Sequence, residues 1–472
     1  MIYEKISLSR QLLPGKAATY TRRSNMAANI LDWTDSWYER LDSESHCDSA
    51  ASIAARFSGE VADGKLPFCS MPFMASLLHD LDGLEDYVKS FDHMLLLGIG
   101  GSSLGARALQ KAFFPQQDQP GHDGPWLWIA DNVCAKTLDA YLQKLPLEKT
   151  LVAVVSKSGG TIETISQYFL VRDKLKQDLG DNWSRNLLFV TDKEKGFLRE
   201  QADEFSVRTL EVPDNLGGRY SVLSAVGLLP AMFMGIDYRS MVEGASAVLS
   251  PLASPELNGD SLSGHPAFKL ACWASGLMSE GYNELIFFSY IPQWACFGHW
   301  FAQLWAESLG KDGKGSQPLP AVGATDQHSV NQMFLDGPRN KGCLFLTCPS
   351  LPEGAAFPED IPDNFAYLKG KKFGELIHAE GLGTKMALAA NKVPLVEMQM
   401  GEESEEAAGR LMGLLMAATI FTGWLIEINP IDQPAVEMGK LLAKARLGAD
   451  GLQKEKDSLD SFLNTERLEQ VF

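Results

Sequence analysis

The chain has 472 residues, 45% of them hydrophobic and 22% charged, and a formal net charge of −18. That describes a globular protein of roughly two to three domains, long enough to bury one or two sizeable cores. The acidic balance argues against a nucleic-acid or anionic-membrane surface and repels phosphorylated metabolites at long range, so any phosphate site has to be a local concentration of N–H groups, hydroxyls and a few cations.

Seven scattered cysteines (Cys47, Cys69, Cys134, Cys272, Cys296, Cys343 and Cys348) include no CxxC pair. Neither a disulfide framework nor a zinc site is expected, and a reducing cytoplasm is the simplest location. Met1-Ile2-Tyr3-Glu4-Lys5 lacks the apolar core of a signal peptide.

In chain order, the first 45 or so residues read as outer helices. Short apolar runs then alternate with helix-length stretches: 94–97, 126–129, 151–155, 187–190 and 207–210. Unbroken runs of this length fit strands covered on both faces, and the alternation is the βαβ rhythm of a doubly wound parallel sheet. A second series follows, with strands expected at 285–290, 343–347 and 394–398 and helices at 294–308 and 411–426. The last of these has 16 residues, short of the roughly 20 that span a bilayer, and reads as a buried helix. The fold class is α/β with two lobes. The domains are expected as 1–45 (helical), 46–250 (first lobe), 267–430 (second lobe) and 431–472 (a helical arm), with the Pro-, Ser- and Gly-containing stretch 250–266 as the linker.

Six motifs carry chemistry. Gly98-Ile99-Gly100-Gly101-Ser102-Ser103 follows a strand directly, where glycines let N–H groups approach an anion at a helix start. It departs from GxGxxG at Ser103, and a tight turn without ligand is the plainer alternative. Ser156-Lys157-Ser158-Gly159-Gly160-Thr161 combines hydroxyls, a cation and successive N–H groups into a nest for a phosphoester. It lacks Walker spacing, and an ordinary start capped by Ser158 or Thr161 is the alternative. Gly217-Gly218-Arg219-Tyr220-Ser221 offers a guanidinium to a developing oxyanion, or a surface arginine in a salt bridge.

Gln303 and Glu307, four apart, share one helical face. Phe297, Phe301, Leu304 and Trp305 are expected to dry the carboxylate and raise its pKa toward that of a useful base, unless it simply faces solvent at the helix end. His328, in Gly323-Ala324-Thr325-Asp326-Gln327-His328-Ser329, either carries protons or is structural. Asn429-Pro430-Ile431-Asp432-Gln433-Pro434-Ala435-Val436-Glu437-Met438-Gly439-Lys440 is a proline-fixed turn entering a helix, whose lysine would ordinarily be solvated.

Taken in this order, the motifs resemble those of the glucose-6-phosphate isomerase family, in its shorter bacterial form. The match covers roughly three quarters of the chain and is most specific at 217–224 and 429–437. The resemblance implies two sugar-isomerase (SIS) lobes with parallel sheets plus a C-terminal arm. It also implies interconversion of glucose 6-phosphate and fructose 6-phosphate, a step of glycolysis and gluconeogenesis, with neither metal nor cofactor.

By resemblance, Gly101, Ser102, Ser156, Lys157, Ser158 and Thr161 hold the substrate phosphate. Glu307 is the general base, and Gly218 and Arg219 lie beside the enediol oxygens. His328 and Lys440 open the sugar ring, and Gln303 and Gln433 support the sugar. The family delivers the histidine from a neighbouring subunit, which implies a homodimer. Ala435, Gly160 and Trp305 depart from the family's usual residues and touch affinity rather than reaction. A non-catalytic sugar-phosphate sensor would not need Glu307, Arg219, His328 and Lys440 together. An amidotransferase is disfavoured because the first cysteine is Cys47. Activity on mannose 6-phosphate stays open.

Overall fold

A computed structural model describes residues 28–41 and 44–471. Its strands are β1 (Ile30–Asp32), β2 (His93–Leu97), β3 (Trp126–Ala130), β4 (Thr150–Val155), β5 (Leu187–Thr191), β6 (Arg208–Glu211), β7 (Glu284–Ser289), β8 (Gln317–Val322), β9 (Lys341–Thr347) and β10 (Leu395–Gln399). They form two five-stranded sheets, ordered β3-β2-β4-β5-β6 and β1-β10-β9-β7-β8. Every pairing is parallel except β1 with β10.

The apolar runs are buried on both faces, as expected of parallel strands. Side chains alternate across the first sheet. Leu95, Leu97, Val152 and Val154 pack under Tyr168, Val171 and Leu175 of the helix Ile162–Leu179. Met94, Leu96, Leu151, Ala153 and Val155 face the opposite way, into a core that also takes Phe287, Leu344, Leu346 and Val396 from the second sheet. The two sheets therefore share one central core, filled by the helices Ala225–Met234, Tyr238–Leu249, Pro266–Ser279, Ala295–Leu309 and Glu405–Leu425.

Four places differ from the sequence reading. β8 was not foreseen because Pro318 and Pro320 interrupt it; it pairs with β7 alone, and an edge strand tolerates proline. The expected N-terminal helices lie mostly outside the described residues, and 30–32 is instead the antiparallel edge strand β1.

The stretch 250–266 is folded rather than loose. It contains the helix Gly259–Gly264, started by a reciprocal Asn258–Ser261 cap, with Leu252 and Leu262 fully buried. The apolar helix is 21 residues long, not 16, because Ser404 caps it and Glu405 and Glu406 occupy its first turn. By length and composition it could cross a membrane, but 89% of its most apolar window is buried, which makes it a core helix.

The first sheet has a switch point where the strand order reverses. From β2 the chain crosses to β3 on one side and then to β4 on the other, so the loops leaving β2 and β4 part company at the carboxyl edge of the sheet. Those loops carry 98–103 and 156–161.

Candidate active site

The loop after β2 is pressed against the turn Gly218–Tyr220. A Cβ on Gly101 would overlap the Gly218 carbonyl and lie 2.8 Å from Arg219 N, so only glycine allows this approach. Gly100 has φ +58°, and a Cβ there would meet Gln303 Nε2 at 3.0 Å. The first glycine loop thus touches both the arginine turn and the glutamate helix. Ser102 sits in the same turn, half-buried.

In the neighbouring loop Ser156 is buried, and its hydroxyl lies 3.0 Å from that of Thr161. Thr161 occupies the N-cap of the helix Ile162–Leu179, but its side chain makes no capping bond. The hydroxyl-capped start offered by the sequence is therefore not what is built, and the first-turn N–H groups have no side-chain cap. Ser158 Oγ accepts from Gly160 N at 3.3 Å. Lys157 lays its ammonium on the Asp214 carbonyl at 2.8 Å, which joins this loop to the segment leading into Gly217 and Gly218.

Arg219 is the hub. It is 2% exposed, so the surface-arginine alternative fails. Nε donates to Ser308 Oγ (2.8 Å), and Nη2 donates to the carbonyls of Pro430 (2.8 Å) and Asp432 (3.0 Å). Nη1 donates to Gln433 Oε1 (2.7 Å) and, more loosely, to Glu307 Oε2 (3.3 Å). The five N–H groups of the guanidinium are all used. Three segments far apart in sequence meet here: the arginine turn, the helix Ala295–Leu309, and the stretch 429–433.

Glu307 accepts from Gln303 Nε2 at 2.8 Å, as the spacing of four requires. Its surroundings correct the sequence reading. Phe297, Phe301, Leu304 and Trp305 are buried on the core side of the helix. The carboxylate side chain is 34% exposed and faces an amide and a guanidinium, not aromatic walls. The Gln303 side-chain oxygen Oε1 is buried without a hydrogen-bond partner among the described residues.

The remaining two candidates lie apart. His328 ends the short turn Thr325–His328 after β8 and is exposed, with no hydrogen bond or ion pair to this cluster among the described residues. Lys440 is on the exposed helix Glu437–Arg446, which follows the Gln433 segment, and pairs with Glu437 at 2.8 Å. Among the described residues no group of His, Cys, Asp and Glu could hold a metal ion.

Sequence reasoning missed the residues that hold the hub. Ser308 is fully buried beside Arg219, and Tyr220 Oη lies 3.0 Å from Ser308 Oγ and donates to Pro430 O at 3.2 Å. Burial pushes the Tyr220 hydroxyl's pKa up. Lys311, just past the helix end and only 11% exposed, contacts the Asn429 carbonyl and pairs with Asp432 at 2.9 Å. Burial lowers the Lys311 pKa, and the Lys311 hydrogen bond lowers that of Asp432. Tyr220 and Asp432 stand inside quoted motifs, yet nothing in their spacing announces a role.

Comparisons with known proteins identify the fold and the family. Among solved structures, a hypothetical protein from Thermus thermophilus superimposes with a TM-score of 0.79 at 30% identity, covering 89% of this chain and all of that one. A glucose-6-phosphate isomerase from Chlamydia trachomatis superimposes with a TM-score of 0.65 at 22% identity, over 83% of this chain and 76% of that one. The chain shares its α/β fold with that isomerase, and within it a junction of arginine, glutamate and glutamine stands beside two glycine-containing loops.

More narrowly, residues 83–348 match the model of the phosphoglucose isomerase family, and the chain belongs to that family of isomerases. The glucose-6-phosphate isomerase of Rubrobacter xylanophilus is 39% identical over 78% of this chain and 84% of its own length. That of Carboxydothermus hydrogenoformans is 32% identical over 84% of this chain and 88% of its own length.

Proposed function

We propose that this protein interconverts glucose 6-phosphate and fructose 6-phosphate, the glycolytic and gluconeogenic step, by moving a proton between C1 and C2. The observation that carries the reading is the junction at Arg219, which places a carboxylate at 3.3 Å and an amide oxygen at 2.7 Å from one guanidinium nitrogen. The names of the relatives support the same substrates.

The phosphate is held between the loops after β2 and β4 by Ser102, Ser156, Lys157, Ser158, Thr161 and the N–H groups around Gly101. Anchoring there, away from the reacting carbons, supplies orientation. His328 and Lys440 open the ring by exchanging protons with the ring oxygen and the C1 hydroxyl. His328 comes from a second subunit of a homodimer, a role that suits its exposure.

In the open aldehyde, Glu307 takes the C2 proton. The C–H electron pair becomes the C1–C2 double bond, and the carbonyl pair moves to O1. The 3.3 Å contact of Nη1 with Glu307 is the longest made by Arg219. It is the one an enediolate oxygen displaces, which turns that N–H toward the developing charge. Gly218, Gln303 and Gln433 border the same space. After the O2 proton passes to O1, Glu307 returns its proton to C1 and C2 becomes the carbonyl. One carboxyl on one face serves both transfers, so the chemistry requires no cofactor.

The test is an assay with fructose 6-phosphate and no added metal or nucleotide, alongside exchange of the substrate proton with deuterated water. Glu307→Gln keeps substrate binding and loses on the order of 10²–10⁴ in rate, the usual span for a positioned base. Substantial turnover by that variant would refute the role of Glu307.

A further inference from the structure

The hydrogens around Arg219 can be assigned by elimination. Arginine only donates, and a carbonyl only accepts. Arg219 Nε therefore donates to Ser308 Oγ, and Tyr220 spends its single hydroxyl hydrogen on the Pro430 carbonyl. The 3.0 Å contact between the two hydroxyls is then Ser308 donating to Tyr220 Oη. Pro430 O also accepts from Arg219 Nη2, which closes a ring: Arg219 Nε, Ser308, Tyr220, Pro430 O, Arg219 Nη2. Ser308, Tyr220 and Arg219 are all buried, and the Tyr220 ring stacks on Phe68 at 5.3 Å with an interplanar angle of 7°.

We infer that Ser308 and Tyr220 are positioning residues for the proton transfer: their linked hydroxyls lock the guanidinium plane by its Nε and Nη2 edge, so that only Nη1 keeps slack toward the carboxylate and substrate. The inference rests on the isomerase reading of this same site. A planar guanidinium held along one edge cannot rotate, so the Nη1 N–H that Glu307 holds only loosely at 3.3 Å points where the enediolate oxygens form, without reorganising during the reaction. Without the ring, Arg219 stays buried and charged, held by its remaining carbonyl contacts, but its tilt is no longer set. A buried donor left without its acceptor then competes for other partners.

The test uses the full-length chain with Tyr220→Phe, Ser308→Ala and Ser308→Thr. Two probes are titrated beside kcat and KM. One is a phosphorylated hydroxamate, whose planar oxygen pair copies the enediolate. The other is a phosphorylated polyol, which offers the phosphate and hydroxyls without a planar oxygen pair. Tyr220→Phe and Ser308→Ala are expected to lose ~10–100-fold in kcat, the scale of a small misplacement. Hydroxamate affinity falls in parallel, while KM and polyol affinity stay within about threefold, because only transition-state contacts are lost. Ser308→Thr, which keeps the hydroxyl, recovers most of the loss.

A kcat within about twofold of the parent in both hydroxyl-deleting variants would overturn the inference. So would a joint fall of polyol and hydroxamate affinity, the mark of a generally loosened site. A parent chain that turns over no sugar phosphate would sink the isomerase reading instead, and the two-probe comparison would still judge the ring.

Discussion

Glu307 shows how far a single residue can be read. Its spacing from Gln303 correctly placed both on one face of the helix, because four residues make about one turn. Its surroundings were read wrongly. The aromatic residues nearby in sequence point to the core, and the groups that meet the carboxylate come from positions 88 residues away in Arg219 and four away in Gln303. Local sequence reports which side chains are near along the helix; it does not report what another segment brings to the opposite face.

A different carboxyl is pressed by burial. Glu403, between β10 and the helix Glu405–Leu425, has its pKa pushed up to about 7 by desolvation alone. A carboxyl that binds its proton more tightly folded than unfolded contributes stability that is whole below the ordinary carboxylate range. That contribution is lost as pH rises through about 7. Glu403→Gln is neutral throughout. It is expected to raise the apparent melting temperature at pH 8 by roughly 1–2 °C and to leave it unchanged near pH 4. Equal shifts at both pH values, read by thermal scans, would contradict this.

At the scale of elements, most strands were legible because parallel strands buried on both faces have to be apolar throughout. β8 escaped because an edge strand needs only one hydrogen-bonded neighbour and so admits two prolines. The length of the central helix escaped because its first turn is charged, with Arg410 paired to Glu406 one turn along.

The same helix makes a close crossing in the core. A Cβ on Gly409 would overlap the Met241 carbonyl oxygen, and one on Gly244 the Glu406 carbonyl oxygen. The helices Tyr238–Leu249 and Glu405–Leu425 therefore touch backbone to backbone. Gly409→Ala, although better in an isolated helix by about 1 kcal/mol, has to push the pair apart. It is expected to destabilise by about 1–3 kcal/mol net or more, with the rate per folded molecule little changed. Denaturant unfolding and an activity titration measure both.

At the scale of the whole molecule, the two sheets are joined by one core, and the junction at Arg219 draws on three distant segments. His328 stands outside it. If the histidine acts across a dimer interface, mixing unfolded Glu307→Gln and His328→Ala chains and refolding them together makes mixed dimers with one intact site each. About half the dimers are mixed, so ~25% of parental activity is expected to return from two inactive parents. No recovery would mean that His328 works within its own chain, or not at all.

The amino-acid sequence by itself determined the α/β class, the two series of parallel strands, and the identities of Arg219, Gln303, Glu307 and Gln433. Apolar patterning and the residue types of a motif are local properties, written along the chain. Tertiary structure alone decided that Ser308, Tyr220 and Lys311 hold these groups in place, that the Glu307 carboxylate faces a guanidinium instead of aromatic rings, and that 250–266 is folded against the core. Each of these depends on which backbone carbonyl or side chain arrives from a segment tens to hundreds of residues away, and packing, not spacing, sets that arrival.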